Sequence, residues 1–193
     1  EREFSFARKP GADMTLSVED LRYSLLRNTR AFHFGTISMT AEPSRTATRK
    51  AVEIARESGA MITFDPNYRA SLWRDEGEAA EQMLWGVKNA DIVKISEEEI
   101  RLLLNETPEE GARRLVEKFH VKLALVTLGE KGVFFASKNA SGLVFAFRDL
   151  KPVDATGAGD IFAGSAITRI LQSGKAPEEL TCEELTEICR FAN

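Results

Sequence analysis

The chain has 193 residues, 43% of them apolar and 29% charged, with a net charge of −4; these are the proportions of one soluble α/β domain or a large piece of one. The mild acidity and the lack of a basic run interleaved with aromatics exclude a nucleic-acid surface. No apolar run approaches the roughly 18 residues of a membrane span, and Glu1-Arg2-Glu3-Phe4 does not resemble a signal peptide.

Phe4, Phe6 and Arg8 alternate with smaller residues before Pro10-Gly11, a period-two run that predicts an exposed strand or hairpin. Ser17, Val18, Glu19 and Asp20 predict a helix start with an acidic first turn, and Leu21, Leu25 and Leu26 give that helix an apolar side. Strand-helix units follow. Residues 31–35 predict a short strand, residues 44–58 a helix ended by Gly59, residues 60–65 a buried strand, and residues 91–95 another. Thr107, Pro108 and Glu110 form a strong helix start: a capping hydroxyl, proline at the first helical position, and a glutamate able to reach back. That helix is expected to bury Ala112, Leu115, Val116 and Phe119. Residues 123–128 and 133–136 predict two more strands, and Gly157 opens a helix running to about residue 172.

Strands alternating with helices predict an α/β fold with a mainly parallel central sheet flanked by helices. Ligands of such sheets bind at the carboxyl ends of the strands. Attention therefore falls on the residues just after Asp65, Ile95 and Leu128, and around Gly157. His33 and His120 have no ligand spacing around them and read as structural or surface residues. Cys182 and Cys189 lie seven apart, as on one helical face, and imply neither a disulfide framework nor a metal site. Two semi-buried reduced thiols point to the cytoplasm. The strand-like beginning and the helical pattern of residues 190–193 read as cut ends, so a piece of a longer protein is expected.

The segment most able to carry chemistry is Val153-Asp154-Ala155-Thr156-Gly157-Ala158-Gly159-Asp160. Small residues let a backbone approach a ligand closely. A helix starting here would aim unpaired N–H groups and its positive dipole end at one spot, a site for a transferring phosphoryl group. Asp160 in the first turn can accept a proton from an attacking hydroxyl. An ordinary glycine-rich loop whose acid matches the dipole explains the same residues without a ligand. A dinucleotide fingerprint does not, because Phe162 stands at the third glycine position, and residues 129–132 lack the spacing of a P-loop.

Asp154-Ala155-Thr156-Gly157-Ala158-Gly159-Asp160 resembles the C-terminal signature of the ribokinase-like (PfkB) carbohydrate kinases, usually Asp-Thr-x-Gly-Ala-Gly-Asp, with Ala155 in place of the usual threonine. The resemblance runs along the whole chain and is closest to the fructokinases. Residues 2–8 with Ala12-Asp13 look like a lid; Phe32-His33-Phe34-Gly35 and Glu42-Pro43-Ser44-Arg45 are similar to the strand and helix that follow it. Asp65-Pro66-Asn67-Tyr68-Arg69 with Leu72-Trp73, residues 91–99, and Thr127-Leu128-Gly129-Glu130-Lys131-Gly132 complete the set in family order.

The resemblance implies a ribokinase-like three-layer sandwich, incomplete here, with residues 1–16 as part of a small β lid and residues 17–193 as the nucleotide-binding catalytic core. It implies ATP-dependent phosphorylation of a sugar's primary hydroxyl, D-fructose to fructose 6-phosphate, with ATP and Mg²⁺ as cofactors and K⁺ as a further cation. Asp160 would be the base, and the N–H groups of Gly157, Ala158 and Gly159 the anion hole. Asp154 and the Thr156 carbonyl match monovalent-cation positions. Ser96 and Glu99 match a motif for Mg²⁺ and phosphate handling, with Ser96 where the family's asparagine is usual. Thr127, Gly129 and Gly132 match nucleotide contacts, Asn193 the adenine pocket, and Arg8 and Arg69 the neighbourhood of the sugar. Pairing of lids would make a homodimer. The N-terminal third of the family pattern is missing, so the 193-residue chain alone is expected to be inactive or very weak.

Plainer readings stand beside these. Ser96-x-x-Glu99 is also a capping box, Asp65 before Pro66 can cap a turn, Arg69 can be a solvated loop residue, and Phe4 and Phe6 can be hairpin packing. Two other functions remain open. Arg8 and Arg69 could clamp a carboxylate, as in a kinase of 2-keto-3-deoxygluconate, or the fold could serve a non-catalytic binding protein.

Overall fold

The computed structural model describes residue 8, residues 11–147 and residues 154–193. The predicted lid strand, and with it any pairing between subunits, lies outside the described residues apart from Arg8. The chain divides into two units, residues 1–90 and 91–193.

In the first unit, helix α1 (Tyr23–Arg27) leads to strand β1 (Ala31–Gly35), helix α2 (Ser44–Glu57), strand β2 (Met61–Asp65) and helix α3 (Glu76–Lys88). β1 and β2 pair in parallel, Ala31 opposite Met61 through Gly35 opposite Asp65. α2 connects them and buries Ala47, Ala51, Val52, Ile54 and Ala55, the βαβ unit that a parallel pair requires. Gly59 ends α2 at φ 81°, where L side chains are strained. Leu26, Ala51 and Ile54 form a buried cluster with Leu21, Tyr23 and Phe32 against it. Phe34 packs on Phe64 at 4.8 Å and edge-on to Trp85 at 5.9 Å. The absence of a side chain at Gly86 makes room for the Phe64 ring, which would meet a Cβ there at 2.2 Å.

The helix predicted from Ser17 is broken. The Asp20 carboxylate accepts from both the Ser17 N–H and its hydroxyl at 2.9 Å, closing a short 3₁₀ turn (Val18–Asp20) before Leu21 turns extended. Helix resumes only at Tyr23, and Leu25 ends 65% exposed while Leu26 is buried. The expected apolar side is therefore narrower than the leucine spacing implies.

The second unit begins with strand β3 (Ile92–Ser96), helices α4 (Glu97–Leu104) and α5 (Pro108–Phe119) and strand β4 (Leu123–Thr127). β3 and β4 are parallel, with Lys94 opposite Leu125 and Ser96 opposite Thr127. Strands β5 (Val133–Ser137) and β6 (Ser141–Val144) then add antiparallel neighbours. Helices α6 (Ala158–Ser173) and α7 (Cys182–Ala192) pack on each other, and α7 also packs on β6. α5 starts as its sequence predicts, with a Thr107–Glu110 capping box and Pro108 in the first turn. It buries Ala112 and Leu115, while Val116 and Phe119 are only partly covered.

The α/β class thus follows the sequence expectation, and the pairings within the two units divide evenly, β1–β2 and β3–β4 parallel, β4–β5 and β5–β6 antiparallel. His33 is structural, its Nδ1 2.9 Å from the Thr63 hydroxyl, and His120 is exposed at the left-handed end of α5. The two cysteines are unpaired but differ: Cys182 is exposed at the first position of α7, and burial pushes the Cys189 thiol up to about 12. Among the described residues, no helix is long and apolar enough to cross a membrane.

Candidate active site

The second unit places most of the sequence candidates. Gly157 caps α6 at φ 79° and ψ −3°, a left-handed conformation in which an L side chain is strained. Asp154 prepares this turn. Its Oδ1 accepts from the Thr156 N–H at 2.8 Å and the Thr156 hydroxyl at 2.7 Å. The Ala158 N–H donates to the Ala155 carbonyl at 3.1 Å, and the Ile161 N–H to the Gly157 carbonyl at 2.9 Å. The N–H groups of Gly159 and Asp160 find no acceptor among the described residues. No side chain caps α6 either. The open donors of the helix start are therefore those of Gly159 and Asp160, whereas the Ala158 N–H expected in the anion hole is engaged in the turn.

Asp160 is exposed in the first turn of α6 and is the acidic residue of that turn. The helix is anchored from behind by buried Phe162, Ala163, Ala166 and Ile170. The carboxyl end of β3 approaches it: the Lys94 Nζ lies 2.9 Å from where a Cβ on Gly159 would stand. Gly159 has an ordinary helical backbone, so room, not conformation, is what its missing side chain supplies. The strand pattern drew attention to Ser96 and passed over Lys94. The signal was nevertheless present, as a lysine inside the apolar run of residues 91–95.

Ser96 and Thr127 stand opposite each other at the ends of β3 and β4. The capping box is formed: the Ser96 hydroxyl accepts from the Glu99 N–H at 3.2 Å, and the Glu99 carboxylate accepts from the Ser96 N–H at 2.8 Å. Glu99 is buried. Thr127 leads into a 3₁₀ turn (Gly129–Lys131) with Gly129 at φ 58° and Gly132 at φ 108°. A Cβ on Gly132 would lie 2.0 Å from the Val144 carbonyl oxygen, so the strand crossing, by itself, demands glycine there. Asn193 ends α7, its side-chain amide 3.5 Å from the Phe145 carbonyl.

The first unit holds the remaining candidates. The Arg8 guanidinium pairs with Asp13 and donates to the Thr40 hydroxyl at 3.0 Å. Asp65 is buried and accepts from the Asn67 N–H at 3.1 Å, the turn-capping contact its sequence allowed. Arg69 is partly buried and donates to the Tyr68 carbonyl at 2.9 Å.

For the hard cations expected from the sequence, the donors at Asp154, Thr156, Ser96 and Glu99 are all oxygens, the type such ions select. No group of three or more His, Cys, Asp or Glu side chains that could hold a metal occurs among the described residues. Mg²⁺ that arrives on nucleotide phosphates and keeps several waters needs no such cage.

A profile of the pfkB family carbohydrate kinases matches residues 1–193. Fructokinase-1 of Zea mays is 42% identical over 195 aligned residues, which take in the whole of this chain and 59% of the maize protein. The crystal structure of a fructokinase with bound ATP from Xylella fastidiosa superposes with a TM-score of 0.88 at 30% identity, covering all of this chain and 62% of that one. The fructokinase of Vibrio cholerae O395, solved with fructose, ADP and calcium, gives a TM-score of 0.84 at 31% identity, over 98% of this chain and 59% of that one.

Proposed function

Because the chain belongs to the pfkB family of carbohydrate kinases, we propose that the protein containing it is an ATP-dependent sugar kinase that phosphorylates the primary hydroxyl of D-fructose. The observation that carries this reading is the start of α6: a left-handed glycine, open N–H donors and an exposed carboxylate within four residues. Phosphoryl transfer asks mainly for positioning and for charge stabilisation around the moving group, and this turn supplies both.

In the proposed reaction Asp160 accepts the proton of the sugar hydroxyl as the sugar oxygen attacks the γ-phosphorus, and the bond from that phosphorus to the β–γ bridging oxygen breaks to release ADP. The open N–H groups of Gly159 and Asp160 at the α6 start hold the phosphoryl oxygens, helped by the helix dipole. Thr127, Gly129 and Gly132 border the nucleotide phosphates, and Asn193 the adenine. Asp154 and the Thr156 carbonyl would hold a monovalent cation, K⁺, that steadies the turn. Ser96 and Glu99 cap α4, and their oxygens would orient water for Mg²⁺. When bound, Mg²⁺ would neutralise the phosphate charge.

Arg8 and Arg69 are assigned to the sugar side. The pairing of Arg8 with Asp13 supports a neutral sugar over 2-keto-3-deoxygluconate: an arginine whose charge is already matched by a carboxylate is a poor clamp for another. A cytoplasmic setting is in keeping with the unpaired cysteines.

The chain spans about 59% of the length of the maize relative, so the test uses the full-length protein. ATP-dependent phosphorylation of D-fructose and of 2-keto-3-deoxygluconate is measured side by side. Higher kcat/KM on fructose is expected. Preference for the keto acid overturns the substrate, and no phosphorylation of any sugar overturns the activity.

A further inference from the structure

An arginine in the first turn of a helix works against the dipole, because that end already carries roughly half a positive charge. α2 has Arg45 there and no acid in the same turn. The packing gives this arginine a reason. Its side chain is 19% exposed and pairs at 2.8 Å with Glu78 of α3, which is equally covered. Further along the same two helices, Arg49 donates to the Gln82 side chain and Arg56 to the Asn89 carbonyl. Each of the three pairs spans 33 residues, so tying α2 to α3 is a task that all three arginines share.

Arg45 has a second task. Its Nε donates to the Met39 carbonyl at 2.6 Å, and the nitrogen that meets Glu78 also reaches the Thr40 carbonyl at 3.3 Å. Those carbonyls end a 3₁₀ turn (Ile37–Met39) that follows β1. Carbonyls at the end of a helical turn find no partner inside it, and a planar guanidinium serves several acceptors in one fixed geometry. Arg45 thus pins the end of the turn.

The turn carries a threonine on each side. Thr36 is fully buried and donates both its N–H and its hydroxyl to the Pro66 carbonyl, at 3.1 and 2.6 Å. This fixes the start of the segment that leads to Arg69. The Thr40 hydroxyl donates to the Ile37 carbonyl at 3.0 Å and accepts from Arg8 at 3.0 Å. Residues 36–40 therefore serve both arginines assigned to the sugar, one from each end.

We propose that Arg45 is a positioning residue for sugar binding: by clamping the turn after β1, it sets Arg8 through Thr40 and the Pro66-to-Arg69 segment through Thr36. This rests on the sugar-kinase reading. A binding side chain is effective only when its supports hold it to within about 0.5 Å. Arg45 acts through other residues, and on the sugar rather than the nucleotide.

The test compares full-length wild type with Arg45→Met, Arg45→Lys and Arg49→Met. Arg45→Met keeps the apolar stem and loses the fork. Its KM for fructose is expected to rise about tenfold and its kcat/KM for fructose to fall by up to about 10²-fold, as for misplacement acting from a distance. Affinity for ATP, measured without sugar, is expected to stay at the wild-type value. Arg45→Lys keeps a charge opposite Glu78 and is expected to recover part of the loss. Arg49→Met cuts a tie that does not reach the turn, so its fructose KM is expected to match wild type. An unchanged fructose KM in Arg45→Met, an equal loss of ATP affinity, or the same rise in Arg49→Met overturns the proposal, leaving Arg45 an ordinary tie between helices. Should Arg45→Met not fold, Arg45→Met/Glu78→Met, which leaves no charge unpaired, takes its place under the same criteria. Amide hydrogen exchange gives a reading that needs no substrate. Residues 36–40 and 67–69 are expected to exchange faster in Arg45→Met than in Arg49→Met, and equal rates overturn the clamp. If wild type phosphorylates no sugar, the kinase reading falls, while the exchange comparison still decides whether Arg45 holds these residues.

Discussion

At the start of α4 the chain closes on itself. The Ser96 hydroxyl and Glu99 carboxylate each accept an N–H from the other's residue, and Glu97, Glu98 and Glu99 crowd the first turn with negative charge. At the start of α6 none of this happens. Gly157 brings no side chain, the amides of Gly159 and Asp160 stay open, and Asp160 is the turn's single acid. The same kind of element, in the same unit, is finished in one place and left unfinished in the other. A helix start costs stability when its donors go unmatched, so the open one is where an anion adds most. Under the proposed kinase reading, this contrast is the reason for assigning the phosphoryl group to α6 and a supporting part to α4.

The contrast is broken most directly at Asp160. In the full-length enzyme, Asp160→Asn keeps the size of the side chain and removes its basicity. We expect kcat to fall about 10²–10⁴-fold, with ATP affinity and thermal stability near wild type. A kcat within a few-fold of wild type would remove Asp160 as the base and leave α6 as an anion site alone.

Glu99→Gln sharpens the other side. Glutamine can still accept from the Ser96 N–H, so the capping box survives and only the charge is lost. The Mg²⁺ concentration giving half-maximal rate is expected to rise about tenfold, as for other partners that orient a metal's ligands. An unchanged Mg²⁺ requirement would make Ser96 and Glu99 a helix cap and nothing more.

Gly157→Ala probes the bend. No atom lies within 4 Å of the added Cβ, so its penalty is purely conformational. Holding alanine in the left-handed region costs about 1–2 kcal/mol, which denaturant unfolding with and without ATP will read. No loss of stability would mean that the turn relaxes, and the α6 start would then not be the rigid cradle described.

Much of this was legible in the residues. The βα alternation, the α5 start at Thr107 and Pro108, and the anion-binding character of residues 157–160 each follow from local rules: hydrophobic period, capping chemistry and glycine's conformational freedom. Other features depend on packing or on local contacts that hydrophobic period and capping spacing do not carry. α3 hides because Gly77 and Gly86 lower its helical propensity, and Gly86 is there to admit the Phe64 ring. The helix after Ser17 is lost to a local contact between Asp20 and Ser17. β6 is four residues long, with glycine inside it. Lys94 was visible as a charge in an apolar strand, but only the fold brings it to Gly159. The engagement of the Ala158 N–H by Ala155 is likewise a detail of the turn that spacing does not carry.

The smallest expected effect separates a finished helix start from an unfinished one most cleanly. Thr107 caps α5, its hydroxyl accepting from the Glu110 N–H at 3.3 Å and its own N–H donating back to the Glu110 carboxylate at 3.4 Å. Nothing assigns Thr107 to the reaction. Thr107→Ala in the full-length protein removes the hydroxyl cap and is expected to cost about 1 kcal/mol of stability, with kcat and both KM values unchanged. Paired with Gly157→Ala, it gives two helix starts perturbed by similar amounts. If only the α6 variant also loses activity, the open donors there serve a ligand. If both lose activity in proportion to stability, catalysis is following the fold's general integrity, and the α6 start has no special claim to the phosphoryl group.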